Sequence, residues 1–381
     1  MTPETILTNA LLVLPDRVEP GTLVLREGRI AEIQPGRSHL PAACDLEGDH
    51  LIPGVIDVHT DNLERQVQPR SLARWPSRSA FLSHDAQTAA AGVTTVLDAL
   101  CLGDLGFDAE RTETFLNGVR DLDALVPTGL LKSEHYLHLR CELPAADLLP
   151  LLETVADHPA VRMVSLMDHT PGVGQYADIE RYRQMRVRGG KSIAEVDRRI
   201  EELVAQRARL RGPQRRALLE RFGGRGMALA SHDDWHAEEI AENAADGVLI
   251  SEFPVSMMAA EAARGAGMEI IAGAPNIVRG GSHSGNVAAA DLVRAGLVDV
   301  LASDYVPPAM IEAAWRAAGE IGLAAAIATI TEAPARMLRM ADRGRIAPEL
   351  RADLVRIRPL DGPAGPMPVV RTVWRAGERI A

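Results

Sequence analysis

Lysine is almost missing from this chain: Lys132 and Lys191 are its only two, and every other basic side chain is arginine. Cysteine is scarce as well. Cys44, Cys101 and Cys141 are scattered and odd in number, which fits reduced thiols in a cytoplasmic enzyme better than a disulfide framework. No apolar run reaches the roughly 18 residues of a membrane span, so no membrane partner is expected. The N-terminus lacks a basic stretch followed by an apolar core, and no export signal is read there. Positive charge is also in deficit, with a net charge of −11, which argues against nucleic acid as a partner.

What is present begins with Leu51-Ile-Pro-Gly-Val-Ile-Asp-Val-His-Thr-Asp61. A Pro-Gly turn launches a strand that ends in His59-x-Asp61. Side chains two apart on a strand share a face, so an imidazole and a carboxylate converge at its end. Such a pair can ligate a divalent metal, although a lone H-x-D is weak evidence. Seven further segments read as buried strands, each followed by a helical pattern. They start at Gly92, His135, Arg162, Met227, Gly247, Met268 and Val298. Eight strand–helix units predict an α/β fold, a (β/α)8 barrel with its site at the C-terminal strand ends. Metal-type residues stand at those ends: His59, Asp61, Glu142, His169, His232 and Asp304. The first-strand segment resembles the signature of the amidohydrolase superfamily, whose usual motif there is H-x-H.

At 381 residues the chain exceeds a plain barrel of roughly 250. The excess lies partly at its ends, where short β-like runs alternate with turns. Residues 1–52 and 345–381 are expected to form one composite β-sandwich, leaving 53–344 as the hydrolase barrel. Many superfamily members bridge two metals with a carbamylated lysine. Lys132 begins its strand, the wrong end, and Lys191 sits in a helical insertion, so a carboxylate is expected to bridge instead. Alternation along Lys132–Glu142 puts His138, Arg140 and Glu142 on the barrel's inner face, and Glu142 is the best placed of them. A salt bridge between Glu142 and Arg140 is the plainer alternative.

Six segments sharpen the resemblance. They are HTDNLERQVQPR (59–70), HLRCELP (138–144), MDHTPGVGQY (167–176), SHDD (231–234), GAPNIVRGGSHSGN (273–286) and SDYVP (303–307). Together they resemble the PhnM family of the carbon–phosphorus lyase pathway. The resemblance implies an amidohydrolase-type fold that hydrolyses a phosphoanhydride. The implied substrate is a phosphorylated ribosyl phosphonate, α-D-ribose 1-methylphosphonate 5-triphosphate, converted to the 5-phosphate plus pyrophosphate.

Hydrolysis at phosphorus needs an activated water and neutralised phosphoryl oxygens, and two divalent ions supply both. His59, Asp61 and Asp304 are expected to hold one ion, and His169 and His232 the other, with Glu142 between them. Zinc suits this imidazole–carboxylate set, with manganese or iron as alternatives. Asp304 is the expected base for the water proton.

The loop after the seventh strand is expected to bind phosphate through Arg279, Gly280, Gly281 and Ser282, with His283 as acid for the departing pyrophosphate. Arg140 and Tyr176 join the substrate-binding set. Residues 177–222 hold thirteen Lys/Arg against seven Asp/Glu; read as an amphipathic helix pair, they are expected to form a cationic cap, with Arg181 and Arg183 nearest the site. A solvated or dimer-forming hairpin is the competing reading, and superfamily barrels often pair. Other histidines take structural readings: His84 beside Asp85, His135 packed outside its strand, and His236 on the next helix. His39, His50 and His158 are expected in solvated turns. Two rival functions share the framework, a dihydroorotase-like amide hydrolase and a non-catalytic scaffold.

Overall fold

The computed structural model describes residues 4–70, 73–106, 110–282, 285–362 and 365–381. Eight parallel strands run in sequence order around one sheet: Val55–Thr60, Val93–Leu102, Glu134–Glu142, Val161–Met167, Ala228–His232, Ile250–Glu252, Glu269–Gly273 and Val300–Ala302. The ring closes where Thr60 bridges Asp304. There Asp61 N–H donates to Asp304 C=O at 2.6 Å, and Asp304 N–H donates to His59 C=O at 3.0 Å. This is the expected (β/α)8 barrel, with its metal-type strands joined edge to edge.

Period-two alternation sorts the apolar residues into two cores. Ile56, Val58, Leu97, Met163, Ala230, Ile250, Ile271 and Val300 fill the barrel interior. Their outward neighbours, among them Leu137, Leu139, Cys141, Leu166 and Ile270, pack beneath the helices. The interior is thus a solid plug under the strand ends, and it leaves the mouth for chemistry.

Strands from both chain ends build a second sheet. Its order runs from Glu378–Arg379 through Met367–Arg375 and Leu354–Leu360 to His50–Pro53, then Thr5–Val13, Val18–Arg26 and Arg29–Pro35. It is one continuous sheet closed on one core: Leu7, Leu23, Ile30, Leu51, Leu354 and Trp374 pack together. Gly54 links this sheet to the barrel. A Cβ there would stand 2.3 Å from Thr94 Oγ1 and 2.8 Å from Asp353 Cβ, so only glycine permits the approach.

The insertion forms two helices, Ile179–Arg188 and Ile193–Phe222. The second starts on a capping box between Ser192 and Glu195. Its basic excess is largely spent on the barrel's own acids. Arg207 donates to Asp168 at 2.6 Å, Arg211 to Glu242 at 2.9 Å and Arg215 to Asp246 at 2.8 Å. Gln214 caps the carbonyls of Leu143 and Ala145. Most of the expected cationic cap is therefore a clamp onto the loops behind the strand ends.

Candidate active site

Three barrel strands lead into left-handed residues: Asp233 (φ 57°), Phe253 (φ 54°) and Asp304 (φ 54°). A non-glycine residue holds that conformation only when its surroundings impose it, and such strain gathers at functional sites. Here it turns side chains inward at the mouth.

His59 is 1% exposed. Its Nδ1–H donates to Glu252 Oε1 at 2.8 Å, which leaves Nε2 aimed toward Asp61 Oδ1 at 3.5 Å. Glu252 is fixed from below by the Ser165 hydroxyl, which donates to Oε2 at 2.7 Å. On the opposite flank Glu142 grips His169: Oε1 accepts its backbone N–H at 2.8 Å and Oε2 its Nδ1–H at 2.5 Å. His169 Nε2 then lies 3.7 Å from Asp233 Oδ2, which is 3.1 Å from His232 Nδ1. Ligand-type atoms fall within 4.8 Å of one another in three groups here: His59–His232–Glu252, His169–His232–Asp233 and His59–Asp61–Asp304.

Five expected ligands, His59, Asp61, His169, His232 and Asp304, thus converge. Glu142 does another job in this arrangement. Both its oxygens are engaged by His169, so the expectation of a bridging carboxylate gives way to a carboxylate that orients one imidazole. The sequence reading missed Asp233, inside the quoted SHDD segment, and Glu252. Neither lysine takes part: Lys132 Nζ donates to the Ile380 carbonyl, and Lys191 is exposed on the insertion.

The donor set fits divalent metal. His59 Nε2, both ring nitrogens of His232 and Asp233 Oδ2 are buried and make no hydrogen bond. Buried polar atoms are seldom left so, and four of them within neighbouring groups of ligand-type atoms, with His232 offering one nitrogen to each side, are what bound cations would satisfy. The charges agree. Burial opposes a charged His59, but Glu252 and Asp61 overcome it and raise its pKa to about 10. Burial likewise opposes charge on His169, yet Glu142 and Asp233 lift it to about 9. Asp304 is raised to about 7, by burial first and then by the negative Asp61. Asp61 itself is held low against the same burial by Arg140, whose Nη1 donates to it at 2.6 Å.

Above this floor opens a cavity of about 760 Å³, within the usual range for small-molecule sites. Arg111, Arg140, Arg186 and Arg279 line it, with Tyr176, Gly281 and Ser282. Gly280 (φ 78°) ends the helix Ala274–Arg279 and lets the chain turn toward the cavity. His283 lies outside the described residues. Of the two proposed cap arginines, Arg181 rests against Gly285 of the Gly-rich loop. Arg183 is turned aside to Asp197 and Glu180, and Arg186, one helical turn on, takes the place expected of it. Arg111, at the start of the helix after the second strand, had no motif to announce it.

No family model matches the chain. It is 42% identical over 381 positions, 98% of this chain and 100% of the relative, to alpha-D-ribose 1-methylphosphonate 5-triphosphate diphosphatase of Escherichia coli (strain K12). The chain belongs to that family, PhnM. Solved structures share the fold at low identity. Molinate hydrolase superimposes with a TM-score of 0.66 at 12% identity, covering 99% of this chain and 94% of that one. N-isopropylammelide isopropylaminohydrolase from Burkholderia multivorans gives 0.62 at 18%, covering 100% and 98%.

The motifs quoted for PhnM in the sequence thus fall around one cavity. The structural histidines fall elsewhere. His84 and His135 are buried outside the barrel wall, sharing Asp98. His236 stands just before the helix Ala237–Ala245 rather than on it, its backbone N–H donating to Glu239 at 3.1 Å. His50 departs from its reading: it lies in a strand, edge-on to Trp315 at 5.1 Å, not in a solvated turn.

Glu142→Gln tests the orienting role. The amide keeps the shape but loses the charge that holds the Nδ1–H of His169. Metal affinity should fall about 10–100-fold, the usual cost of losing such a partner. Wild-type affinity in a metal titration would leave Glu142 without this role.

Proposed function

We propose that this chain hydrolyses α-D-ribose 1-methylphosphonate 5-triphosphate to the 5-phosphate and pyrophosphate, using two divalent ions. The observation that carries the reading is a four-arginine cavity standing directly over the His/Asp/Glu cluster. A cyclic-amide hydrolase has little use for four guanidiniums, whereas a substrate that carries anionic phosphorus groups at both ends of its sugar needs that charge matched. The 42% identity to the diphosphatase supports the same reading.

His59, Asp61 and Asp304 would hold one ion, and His169, His232 and Asp233 the other; zinc suits these donors, with manganese or iron as alternatives. Bound there, the ions would acidify water and clamp phosphoryl oxygens. The chain's own residues would do the rest. Asp304, raised to about 7, accepts the proton of the attacking water. The water oxygen bonds to phosphorus as the bridging P–O bond breaks, and pyrophosphate leaves with the electron pair. Arg279, Gly281 and Ser282 receive it. Arg140 steadies Asp61 and adds positive charge beside the reacting phosphoryl group.

Phosphorus NMR of the reaction with the ribosyl triphosphate should show pyrophosphate and a 5-phosphate, and a chelator should stop both. Release of orthophosphate alone, or hydrolysis of dihydroorotate in its place, would sink the proposal.

A further inference from the structure

The cavity's cations stand on opposite sides of the mouth. In an eight-strand ring the seventh strand is four places from the third, so Arg279 and Ser282, after strand seven, face the side where Arg140 lies on strand three. Arg111 follows strand two, beside Arg140 on strand three. Arg186 lies on the insertion helix whose Arg181 reaches Gly285, but its own side chain shares a small pocket with Gly106 of the loop after strand two, and Tyr176 feels the charge of both Arg186 and Arg111. The guanidinium of Arg186 lies over the Tyr182 ring at 5.0 Å, and that ring meets Tyr176 edge-on at 5.3 Å. One lobe is thus a glycine- and serine-bearing loop with one arginine. The other is two arginines beside aromatic rings, with the metal-type cluster between them.

A substrate with a polyphosphate at one end needs only one such lobe. We infer that the Arg111–Arg186 lobe recognises the second anionic group of the substrate, the phosphonate ester at the far end of the sugar. It is therefore what separates this substrate from nucleoside triphosphates. The inference rests on the function proposed above. A methylphosphonate ester keeps one ionised oxygen and a methyl group. The oxygen suits a guanidinium fork, and the methyl suits the face of Tyr176, which lines the same cavity. The base of a nucleotide offers only neutral acceptors in place of an anion, so it would leave the buried charge of both guanidiniums unmatched, at a cost in affinity.

The two products separate the lobes. Inhibition constants of inorganic pyrophosphate and of ribose 1-methylphosphonate 5-phosphate are measured for wild type, Arg111→Gln, Arg186→Gln and Arg186→Lys, with folding checked by thermal melting. Each glutamine variant should weaken the ribosyl product on the order of tenfold or more and leave pyrophosphate within about twofold, with partial recovery in Arg186→Lys. Parallel weakening of both products, or loss confined to pyrophosphate, overturns the assignment and gives this lobe to the leaving group. An unchanged ribosyl product overturns it too. A wild-type protein that releases no pyrophosphate from the triphosphate rejects the proposed function itself, a result distinct from either.

Discussion

Replacing His232 with asparagine should abolish pyrophosphate release and remove the protein's stabilisation by metal. His232 belongs to two of the three ligand groups, with His59 and Glu252 on one side and with His169 and Asp233 on the other. Its ring is 6.0 Å from that of His59 and 5.7 Å from that of His169. Neither of its nitrogens has a hydrogen bond to lose, so the folded chain forfeits little when the ring goes. The cation forfeits a ligand that asparagine is too short to replace. Turnover should fall by more than the ~10–100-fold that orienting partners cost. At metal concentrations about 100 times the wild-type dissociation constant, binding stabilises the fold by about 2.7 kcal/mol. A hundredfold weaker site would keep only about 0.4 kcal/mol of that. The melting temperature should therefore stop responding to metal while the chelated proteins melt alike. An undiminished metal response would remove His232 from the site.

The second large effect is expected outside the barrel wall. Asp98 is fully buried outside the barrel wall, where His84 Nε2–H donates to one oxygen at 2.7 Å and His135 Nδ1–H to the other at 2.9 Å. The second nitrogen of His135 donates to Asp85 at 3.1 Å. With both nitrogens donating, His135 is an imidazolium. Burial opposes that charge, but Asp98 and Asp85 raise its pKa to about 9. The same burial pushes Asp98 up, and the two histidines pull it well below its ordinary 3.8. A raised histidine contributes its stability fully below its unfolded value of 6.5 and loses it as pH climbs through about 9. A depressed aspartate contributes above about 3.8 and loses its share as pH falls further. The network is therefore whole between about pH 4 and 6.5 and weakens toward pH 9. Asp98→Asn should cost about 3–5 kcal/mol near pH 6, because it strands a buried cation. It should cost less at pH 9. Equal losses at both pH values, in chemical denaturation, would mean that His135 is neutral throughout.

The barrel was legible because its strands are short apolar runs at regular spacing, with ligand types at one end. Alternation also put His135 outside the wall and Arg140 inside it, where they are found. Alternation stops with the strand, and there the reading failed. Asp233 follows His232 immediately and ought to point away, but its left-handed backbone brings it back toward the same centre. Glu252 ends a strand of three residues, too short to display a face. Glu142 was found and given the wrong partner, since sequence cannot tell a carboxylate that meets a cation from one that holds the neighbouring imidazole. In the insertion, charge counting saw the basic excess but not the acids of distant loops, Asp168, Glu242 and Asp246, that absorb it. Arg111 has no periodicity or motif to mark it.

The edge-to-edge order of the second sheet also sets a timetable. Strand His50–Pro53, which leads straight into His59, pairs with Leu354–Leu360 through Leu51↔Arg356 and Pro53↔Leu354. Some 300 residues of barrel emerge from the ribosome between those two partners. Until the later strand arrives, the earlier one presents a bare edge, the kind that recruits strands from other chains. The barrel's first ligand is thus anchored to a segment synthesised some 300 residues after it. Nascent chains stalled before residue 354 should be aggregation-prone and unable to retain metal, however complete their barrel.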